Sequence, residues 1–256
     1  MEDTKIRFVG HATVFIETGG VSFVTDPMLS KRALALKRFR EPGASVEDLA
    51  GAGAILISHA HFDHLDLPTL ARLPKHIPVI TPRRVGGLVR KLGFSSVIEL
   101  NDWETHQGEG FFVTAVPARH FGERIYVDPF RRYQGYVFGK TGGPAHYFAG
   151  DTGYFPGFSE IGRRFEICCA LLPIGAYRPA FIMRRVHLNP FTAVRAFKDL
   201  SARYMIPIHF GSFKLSLEPV DEPPRLLSGI VEEDESLKGR VFILQNGEKK
   251  TLPSCG

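Results

Sequence analysis

The sequence predicts a mixed α/β fold, and three observations support this prediction. Short apolar strand patterns followed by loops recur along the chain, and stretches with helix-start or helix-end signals lie between them. The length of 256 residues and the apolar share of 44% allow a substantial core, in one large domain or two small ones. We find no internal repeat and no low-complexity linker, so we predict a single domain over residues 1–256.

The amino-terminal part of the chain predicts a β-hairpin followed by a strand and a helix. In KIRFVGHATVFIET apolar and polar residues alternate, Gly19 and Gly20 supply a turn, and VSFVTDP returns. A basic irregular segment comes next, before the buried strand AILIS. A short helix is predicted from Leu67 to Leu73, with Pro68 near its start.

The remainder of the chain alternates strands with helices. Strand-then-loop units are predicted for HIPVITP, FFVTAVPARHF, YQGYVFG, AHYFAGDTG, ICCALLPIG and MIPIHFG. One helix is predicted in VGGLVRKLGF, where Gly93 ends it. Another begins at Asn189, an N-cap residue followed by Pro190 at the first helical position. A terminal hairpin is predicted for RVFILQNGEKK.

Composition bears on partners and on the compartment. The net charge of +5 and the isoelectric point near 9.2 permit an anionic substrate or an acidic surface without requiring one. Adjacent cysteines rarely bridge, so Cys168, Cys169 and Cys255 predict no disulfide framework and a reducing compartment. We see no secretory signal and no apolar run of the roughly 18 residues that span a membrane. We therefore expect a soluble, cytoplasmic protein, for which peripheral contact with a membrane remains open.

The stretch ILISHAHFDHLD concentrates metal-binding side chains directly after an apolar strand. In an extended segment, residues two apart share a side, so His59 and His61 can bind one ion. Asp63 and His64 follow the beginning of a turn and can face a second ion. Three buried imidazoles without a metal would repel one another on protonation and leave ring nitrogens unpaired, which disfavours a purely structural role.

Three other predicted strands also end in a metal-binding side chain, namely His120, Asp151 and His209. Sites in α/β sheets form at the carboxyl ends of strands, so we expect these residues to meet the histidine cluster. His120 or His209 alone would more often be a structural hydrogen-bonding residue. Together, five histidines and two carboxylates suffice for two divalent ions, with Asp151 between them. Zn²⁺ is the expected metal, with Mn²⁺ or Fe as alternatives.

The motif HAHFDH followed by LD matches the pattern H-x-H-x-D-H, and the chain thereby resembles the metallo-β-lactamase fold superfamily. It more narrowly resembles the branch that contains N-acylphosphatidylethanolamine-hydrolysing phospholipase D and its bacterial relatives. From about Phe8 to Leu227 this closer resemblance is carried by FVGHATVFIE, TDPMLS, KRFR, VIELNDWE, PARHF, FAGDTGYFPGF, IGRRF, LPIGAYRP, HLNPFTAV, PIHFGSF and EPPRLL. The resemblance implies a four-layer αββα sandwich with a dinuclear metal site at one edge.

The resemblance also implies how the ligands divide between the two ions. One ion would be held by His59, His61 and His120, and the other by Asp63, His64 and His209, with Asp151 between them. This division agrees with the one that the spacing of the residues predicts.

The chain departs from the family at positions that do not bind metal. Phe8, Phe121 and Phe210 stand where the family often has tryptophan, and Phe191 and Thr192 replace a common acidic pair. Aromatic residues of a pocket wall shape substrate choice, so these departures bear on the substrate rather than on the metals.

Four further polar residues are candidates for the site. His187 precedes the helix at Asn189, and the resemblance implies that it contacts the substrate or donates to a leaving group; the alternative is a capping or surface histidine. His11 and Asp26 are expected near the site, where a carboxylate can orient a ligand imidazole, or as a buried pair without a catalytic role. Asp66 has the same two interpretations.

Two segments are candidates for substrate contact. The basic segment from Lys31 to Arg40 can receive a phosphate or an anionic head group, or it is a solvated loop. In the segment GAYRPAFIMRR, an apolar wall of the pocket is predicted for Tyr177, Phe181, Ile182 and Met183. Exposure of three of them would favour a lipid or apolar substrate, whereas burial would place them in the core.

These patterns predict a metal-dependent hydrolase whose nucleophile is a hydroxide shared by two metal ions, with Asp63 or Asp151 orienting it. The expected substrate is a small or lipid-like anionic phosphodiester. The alternatives are a lactone or carboxylic ester, and a metal-binding protein without catalysis. No nucleic-acid module is present in the sequence, so no nucleic-acid partner is expected. The metal, the substrate and the oligomeric state are left open.

Overall fold

A computed structural model describes residues 3–121 and 131–255 of the chain. The strands, in chain order, are β1 (Thr4–Gly10), β2 (Thr13–Thr18), β3 (Val21–Thr25), β4 (Arg32–Ala33), β5 (Leu36–Lys37), β6 (Ala54–Leu56), β7 (Val79–Pro82), β8 (Val97–Leu100), β9 (Thr105–Gln107), β10 (Phe111–Val116), β11 (Gly135–Lys140), β12 (Ala145–Phe148), β13 (Ile167–Pro173), β14 (Tyr204–Ile208) and β15 (Lys249–Leu252). The helices are α1 (Val46–Leu49), α2 (Leu67–Arg72), α3 (Gly86–Arg90), α4 (Gly157–Arg164), α5 (Ala180–Met183), α6 (Pro190–Asp199) and α7 (Glu222–Glu233).

The strands described in these two ranges form two large sheets and a small ribbon. The first sheet has the order β15-β1-β2-β3-β6-β7-β8, and the second has the order β14-β13-β12-β11-β10-β9. Strands β4 and β5 pair only with each other. In the second sheet β10, β12, β13 and β14 run in the same direction, because β11 is antiparallel to both of its neighbours. The carboxyl ends of these four strands therefore lie at one edge of the sheet.

The two sheets pack face to face, with helices on the outer faces. Phe23 of β3 contacts Phe111 and Phe138 of the second sheet, with ring centroids 5.5 and 4.8 Å apart. Helices α1, α2 and α3 cover the outer face of the first sheet through buried residues such as Leu49 and Leu70. Helix α6 packs on β13 and is flanked by α4 and α7. This is the four-layer αββα sandwich that was predicted.

The opening segment forms two strands before the glycine turn, where a single strand was predicted. The register breaks after Phe8, and the chain turns at Gly10 and His11, whose φ angles are +130° and +58°. A Cβ atom at Gly10 would lie 2.9 Å from the side chain of Asn246, so glycine is required at this close approach. The turn places His11 at the edge of the sheet. The predicted turn at Gly19 and Gly20 is confirmed.

The predicted terminal hairpin is wrong. Residues 240–242 lie beside β14, where Met205 N donates to Arg240 O and Phe242 N donates to Met205 O. After a turn, β15 pairs with β1 in the other sheet. The alternation of apolar residues indicated extended structure correctly. The strands with which this segment pairs, however, are distant from it in sequence. The segment joins the two sheets instead of folding on itself.

The cysteines also differ from expectation, because Cys168 and Cys255 form a disulfide. They are 87 positions apart in sequence, and the fold brings their Cα atoms to 5.5 Å. The prediction considered only the adjacent pair, and Cys169 is indeed a buried free thiol. The inference of a reducing compartment from the cysteines loses its basis.

The helix predicted at Asn189 is α6, and the capping residues are those that the sequence indicated. Asn189 Oδ1 accepts a hydrogen bond from Thr192 N, and Asn189 N donates to Thr192 Oγ1, each at 2.9 Å. This reciprocal pair is a capping box in which Thr192 takes the third helical position. Helices α1, α4, α5 and α7 and strands β4, β5, β8 and β9 were not predicted, and β4 and β5 lie in the segment that was expected to be irregular. In the described part of the chain, we find no helix with the length and apolar character needed to cross a membrane.

We predict that Asn189→Ala lowers the free energy of unfolding by about 1 kcal/mol, because the Thr192 amide loses its side-chain acceptor. The midpoint of thermal unfolding should fall by about 2–4 °C. Asn189→Ser keeps an acceptor and serves as the matched control. Equal midpoints for Asn189→Ala and the unchanged protein would contradict this account of the cap.

Candidate metal centre

The predicted ligands lie together at the edge of the sandwich where the strands end. His59 follows β6 in the first sheet, whereas His120, Asp151 and His209 follow β10, β12 and β14 in the second. Both sheets therefore contribute side chains to one site. All seven predicted ligands belong to two groups of histidines and aspartates whose candidate ligand atoms lie within 4.8 Å of one another.

The first group contains three histidines and one aspartate. His59 Nε2 lies 2.8 Å from His61 Nδ1, and His120 Nε2 lies 3.4 Å from the same atom. Asp151 Oδ2 is 3.9 Å from both His59 Nε2 and His120 Nε2. Three imidazole nitrogens and a carboxylate oxygen thus surround one point, a donor set that suits a borderline divalent ion.

The second group has Asp63 at its centre. Its Oδ2 atom lies 3.5 Å from His64 Nε2, 3.4 Å from His209 Nε2 and 2.9 Å from His11 Nε2. Asp151 Oδ2 lies 3.2 Å from the Nε2 atoms of both His64 and His209. One Asp151 oxygen therefore faces both groups, as the bridging role predicts.

Several buried polar atoms of the site lack a hydrogen-bond partner. Within residues 3–121 and 131–255 this holds for Nε2 of His64 and of His209 and for Oδ1 of Asp151. An unsatisfied buried polar group is costly, so three of them at one point need a further partner. A divalent cation satisfies imidazole nitrogens and carboxylate oxygens together. The residues present therefore fit a metal site.

The charges of the site reinforce one another. Burial opposes ionisation of Asp151, but His209 and His64 hold the pKa of its carboxyl well below the usual value. Burial also opposes the charged form of His209, yet Asp151 raises the pKa of this imidazole to about 9. Protonated imidazoles thus balance the carboxylates in the absence of a cation. A metal ion that takes their place must release those protons.

Asp26 and Ser58 orient one imidazole in each ligand group. Asp26 Oδ2 accepts hydrogen bonds from His64 Nδ1 at 2.6 Å and from Ser58 Oγ at 2.5 Å, and Asp26 Oδ1 accepts from Ser58 N at 2.7 Å. Ser58 Oγ lies 2.9 Å from His59 Nδ1. Because the Ser58 proton is directed to Asp26, His59 Nδ1–H is the donor in this last contact. With their Nδ1–H groups held in this way, both imidazoles would present an unprotonated Nε2 to a bound cation.

The remaining candidates differ in their positions. His11 contacts Asp63, so the orienting interpretation is supported over an isolated buried pair. Asp66 instead accepts hydrogen bonds from Ser30 N and Ser30 Oγ and from Thr69 Oγ1, which attaches residue 30 to α2. Ser58 was missed by the sequence reasoning, although its place directly before His59 at the end of a strand was an available signal.

His187 lies at the site and is buried. Its Nδ1 atom is 3.8 Å from Asp151 Oδ2, and its ring centroid is 5.1 Å from that of His120 and 5.4 Å from that of His209. Burial lowers the pKa of His187 to about 4, so the imidazole is neutral at physiological pH. A neutral imidazole beside both ligand groups can donate one hydrogen bond and accept another.

The predicted apolar wall is present only in part. Phe181 and Ile182 are exposed and Met183 is half-buried, whereas Tyr177 is buried and donates through its hydroxyl to Glu222 at 2.6 Å. Two of the four side chains are therefore exposed, and Tyr177 serves as a loop anchor.

An αββα sandwich with paired histidine and aspartate groups at one edge is the arrangement expected for the metallo-β-lactamase fold. A family model described as a beta-lactamase superfamily domain matches residues 22–210. An N-acyl-phosphatidylethanolamine-hydrolyzing phospholipase D of Caenorhabditis elegans is 34% identical, over 92% of this chain and 72% of that protein. A metal-dependent hydrolase of Methanopyrus kandleri is 30% identical, over 95% of this chain and 98% of that protein. The chain belongs to the metallo-β-lactamase superfamily, and its relatives include proteins described as metal-dependent hydrolases.

A solved structure supports the fold, and other relatives are longer than this chain. A metallo hydrolase from the archaeon Ignicoccus hospitalis has a TM-score of 0.76 at 23% identity, over 98% of this chain and 99% of that one. The chain spans 64% of the length of matching mycobacterial proteins, which are 34% identical and uncharacterized.

We predict that Asp26→Asn weakens metal binding about 10–100-fold, because the amide would donate to His64 Nδ1 and move the imidazole proton to Nε2. Isothermal titration with Zn²⁺ measures this change. Asp66→Asn is the matched control, since Asp66 is also buried but its hydrogen bonds go to Ser30 and Thr69. An unchanged dissociation constant for Asp26→Asn would remove the orienting role.

Proposed function

We propose that the protein is a two-metal phosphodiesterase that acts on a lipid-like substrate. In this proposal His59, His61 and His120 hold one cation, Asp63, His64 and His209 hold the other, and Asp151 contacts both. The single observation that carries the proposal is the position of Asp151 Oδ2 between the two groups, 3.2–3.9 Å from four imidazole Nε2 atoms. A site for one cation would not need a carboxylate shared in this way.

Two bound divalent cations supply Lewis acidity and a nucleophile derived from water at neutral pH. The side chains of the protein then position the reactants. Asp63, held by His11, and Asp151 accept hydrogen bonds from the attacking water and fix its direction. His187 is adjacent to Asp151 and hydrogen-bonds the substrate or the leaving oxygen. The buried surroundings strengthen each of these interactions.

A phosphodiester is favoured as the substrate for two reasons. Exposed cations on the segments beside the site, including Lys31, Lys37 and Arg184, suit an anionic group. The similarity to a protein described as an N-acyl-phosphatidylethanolamine-hydrolyzing phospholipase D supports a lipid-like phosphodiester in particular. Both reasons concern the substrate only, and the ligand groups serve ester hydrolysis equally well.

We predict about two equivalents of divalent metal per chain and hydrolysis of a soluble phosphodiester by the same sample. Elemental analysis gives the metal content, and a panel with bis(4-nitrophenyl) phosphate, a phospholipid and a lactone gives the activity. Asp151→Asn should lose metal and reduce turnover by more than about 100-fold. This loss exceeds the effect of about 10–100-fold that is typical when a residue that only orients a metal ligand is replaced.

Three other outcomes of the panel would contradict parts of the proposal. Turnover of the lactone alone would replace the phosphodiesterase by a lactonase. Two equivalents of metal without turnover of any substrate would indicate a metal-binding protein that is not an enzyme. One equivalent of metal in a fully active sample would remove the dinuclear site.

We predict that His187→Ala lowers turnover by about 100-fold or more while the metal content stays at that of the unchanged protein, because a substrate hydrogen bond is lost without loss of a ligand. His187→Gln retains a donor and an acceptor and should keep part of the activity. Steady-state kinetics with parallel elemental analysis measure both effects. Unchanged turnover, or loss of metal in His187→Ala, would contradict the assigned role.

A further inference from the structure

Six large apolar side chains stand exposed on three segments beside the metal centre. The first segment is the β4–β5 ribbon with the residues that follow it, the second is α5, and the third is the loop after β14. Each of these side chains has 40–74% of its surface exposed. They are Leu34, Leu36, Phe39, Phe181, Ile182 and Leu217. Single exposed apolar residues are common on proteins, but a set gathered around a site mouth indicates an interaction surface.

The β4–β5 ribbon is attached to the segment that follows the ligand His209. Phe39 N donates to Ser212 O at 2.8 Å. The guanidinium of Arg38 lies 4.6 Å from the ring centre of Phe213. The ring of Phe213 in turn meets that of His11 edge-on at 5.3 Å. The exposed tips of the ribbon are therefore fixed relative to the metal centre.

Helix α5 and Leu217 are attached to the same region. The backbone amides of Tyr177 and Arg178 donate to the buried carboxylate of Glu218, at 3.2 and 3.1 Å. At the other end of the α5 segment, Val186 O accepts a hydrogen bond from the ligand His120 at 2.9 Å. Leu217 is adjacent to Glu218 in the chain. These contacts thus join all three segments to residues of the metal centre or to residues close to them in the chain.

Basic side chains alternate with the apolar ones on these segments. The exposed cations are Lys31, Arg32, Lys37, Arg178, Arg184, Arg185 and Lys214. Glu41 is exposed beside Arg40, and three other acidic side chains nearby have partners of their own. Glu218 binds the two backbone amides, Glu222 pairs with Arg178 at 2.8 Å, and Asp221 pairs with Arg40 at 3.3 Å. The exposed face therefore combines apolar tips with a net positive charge, and we name these six apolar residues and seven cations the apolar–basic rim.

We propose that the apolar–basic rim binds the surface of an anionic lipid bilayer and places the metal centre against it. At the headgroup level a bilayer accepts apolar side chains and solvates lysine and arginine, which is the combination that the rim presents. Anionic lipids attract the cations over a distance of about one Debye length. The inference deepens the proposed function, because a docked rim would supply a phospholipid to the site. Binding to the bilayer itself requires no catalysis.

Vesicle flotation tests the proposal with the full chain, both metal-loaded and treated with a chelator. Vesicles of phosphatidylcholine alone are compared with vesicles that also contain phosphatidylglycerol. The protein should float with the anionic vesicles, and raised salt should weaken this binding. Leu34→Ser/Phe39→Ser/Phe181→Ser should lower the bound fraction by at least about ten-fold, because apolar area is withdrawn from the interface. Lys37→Glu/Arg184→Glu should weaken binding to the anionic vesicles selectively.

Two variants outside the rim are matched controls. Phe191 on α6 is as exposed as Phe39, so Phe191→Ser removes an equal apolar side chain. Lys5 and Lys249 lie on paired strands of the first sheet away from these segments, so Lys5→Glu/Lys249→Glu makes an equal change of charge. Both should float like the unchanged protein. Circular dichroism of every variant confirms that the fold is retained.

The failure of this inference can be told apart from the failure of the proposed function. Unchanged protein that binds neither kind of vesicle overturns docking, whatever its activity. A concentration-dependent dimer that dissociates in the triple-serine variant, again without vesicle binding, assigns the rim to contact between copies and also overturns it. Vesicle binding by metal-loaded protein that cleaves no soluble phosphodiester supports docking and removes the proposed function. Loss of vesicle binding in the triple-serine variant, with soluble-substrate turnover retained, supports both.

Discussion

The interaction on which the rest of the structure depends is that of the buried Asp151 carboxylate with the imidazoles around it. An isolated buried carboxylate is too costly to remain ionised, so it needs cationic partners within a few ångströms. His64 and His209, each 3.2 Å away, are the nearest of them. The two histidines follow strands of different sheets, so the two sheets must pack at this edge in one fixed relative position. Burial of the carboxylate therefore constrains the packing of the whole sandwich.

Because of this constraint, the two sheets supply the side chains of the site in different ways. The first sheet contributes His59 to His64 and the two residues that orient them, Asp26 and Ser58. The second contributes single residues at the ends of separate strands, namely His120, Asp151 and His209. A cluster on one loop needs local orienting contacts, because a loop alone does not fix side-chain direction. The single residues follow buried strands, and the imidazole of His120 is held in addition by Val186 O. The main-chain hydrogen bond from His209 N to His11 O joins the two sets.

The parts of this arrangement that could be predicted are those with a local signal. His59, His61, Asp63 and His64 are recognisable from their spacing, and the helix start at Asn189 from its capping residues. His120, Asp151 and His209 could be added because each follows an apolar strand. The pairing of Cys168 with Cys255, and the division of the last segment between two sheets, depend on which distant strands become neighbours. Spacing along the chain carries no information about that choice. The place of Ser58 directly before His59 was a local signal that the prediction did not use, whereas its hydrogen bond to Asp26, 32 residues earlier, depends on the fold.

In the proposed function, chemistry and substrate choice would be assigned to different structural elements. The candidate ligand groups are built from strand ends and from the cluster between His59 and His64, and they fit any hydrolysis that two cations assist. The β4–β5 ribbon, α5 and the loop after β14 carry the exposed apolar and basic side chains. These segments are nevertheless attached to the site. The ring of Phe213 contacts that of His11, and Val186 O accepts a hydrogen bond from His120. Under the two proposals, a change of sequence at the exposed tips is expected to alter which substrates reach the site without moving a metal-binding side chain, whereas a change at the anchoring residues is expected to alter both.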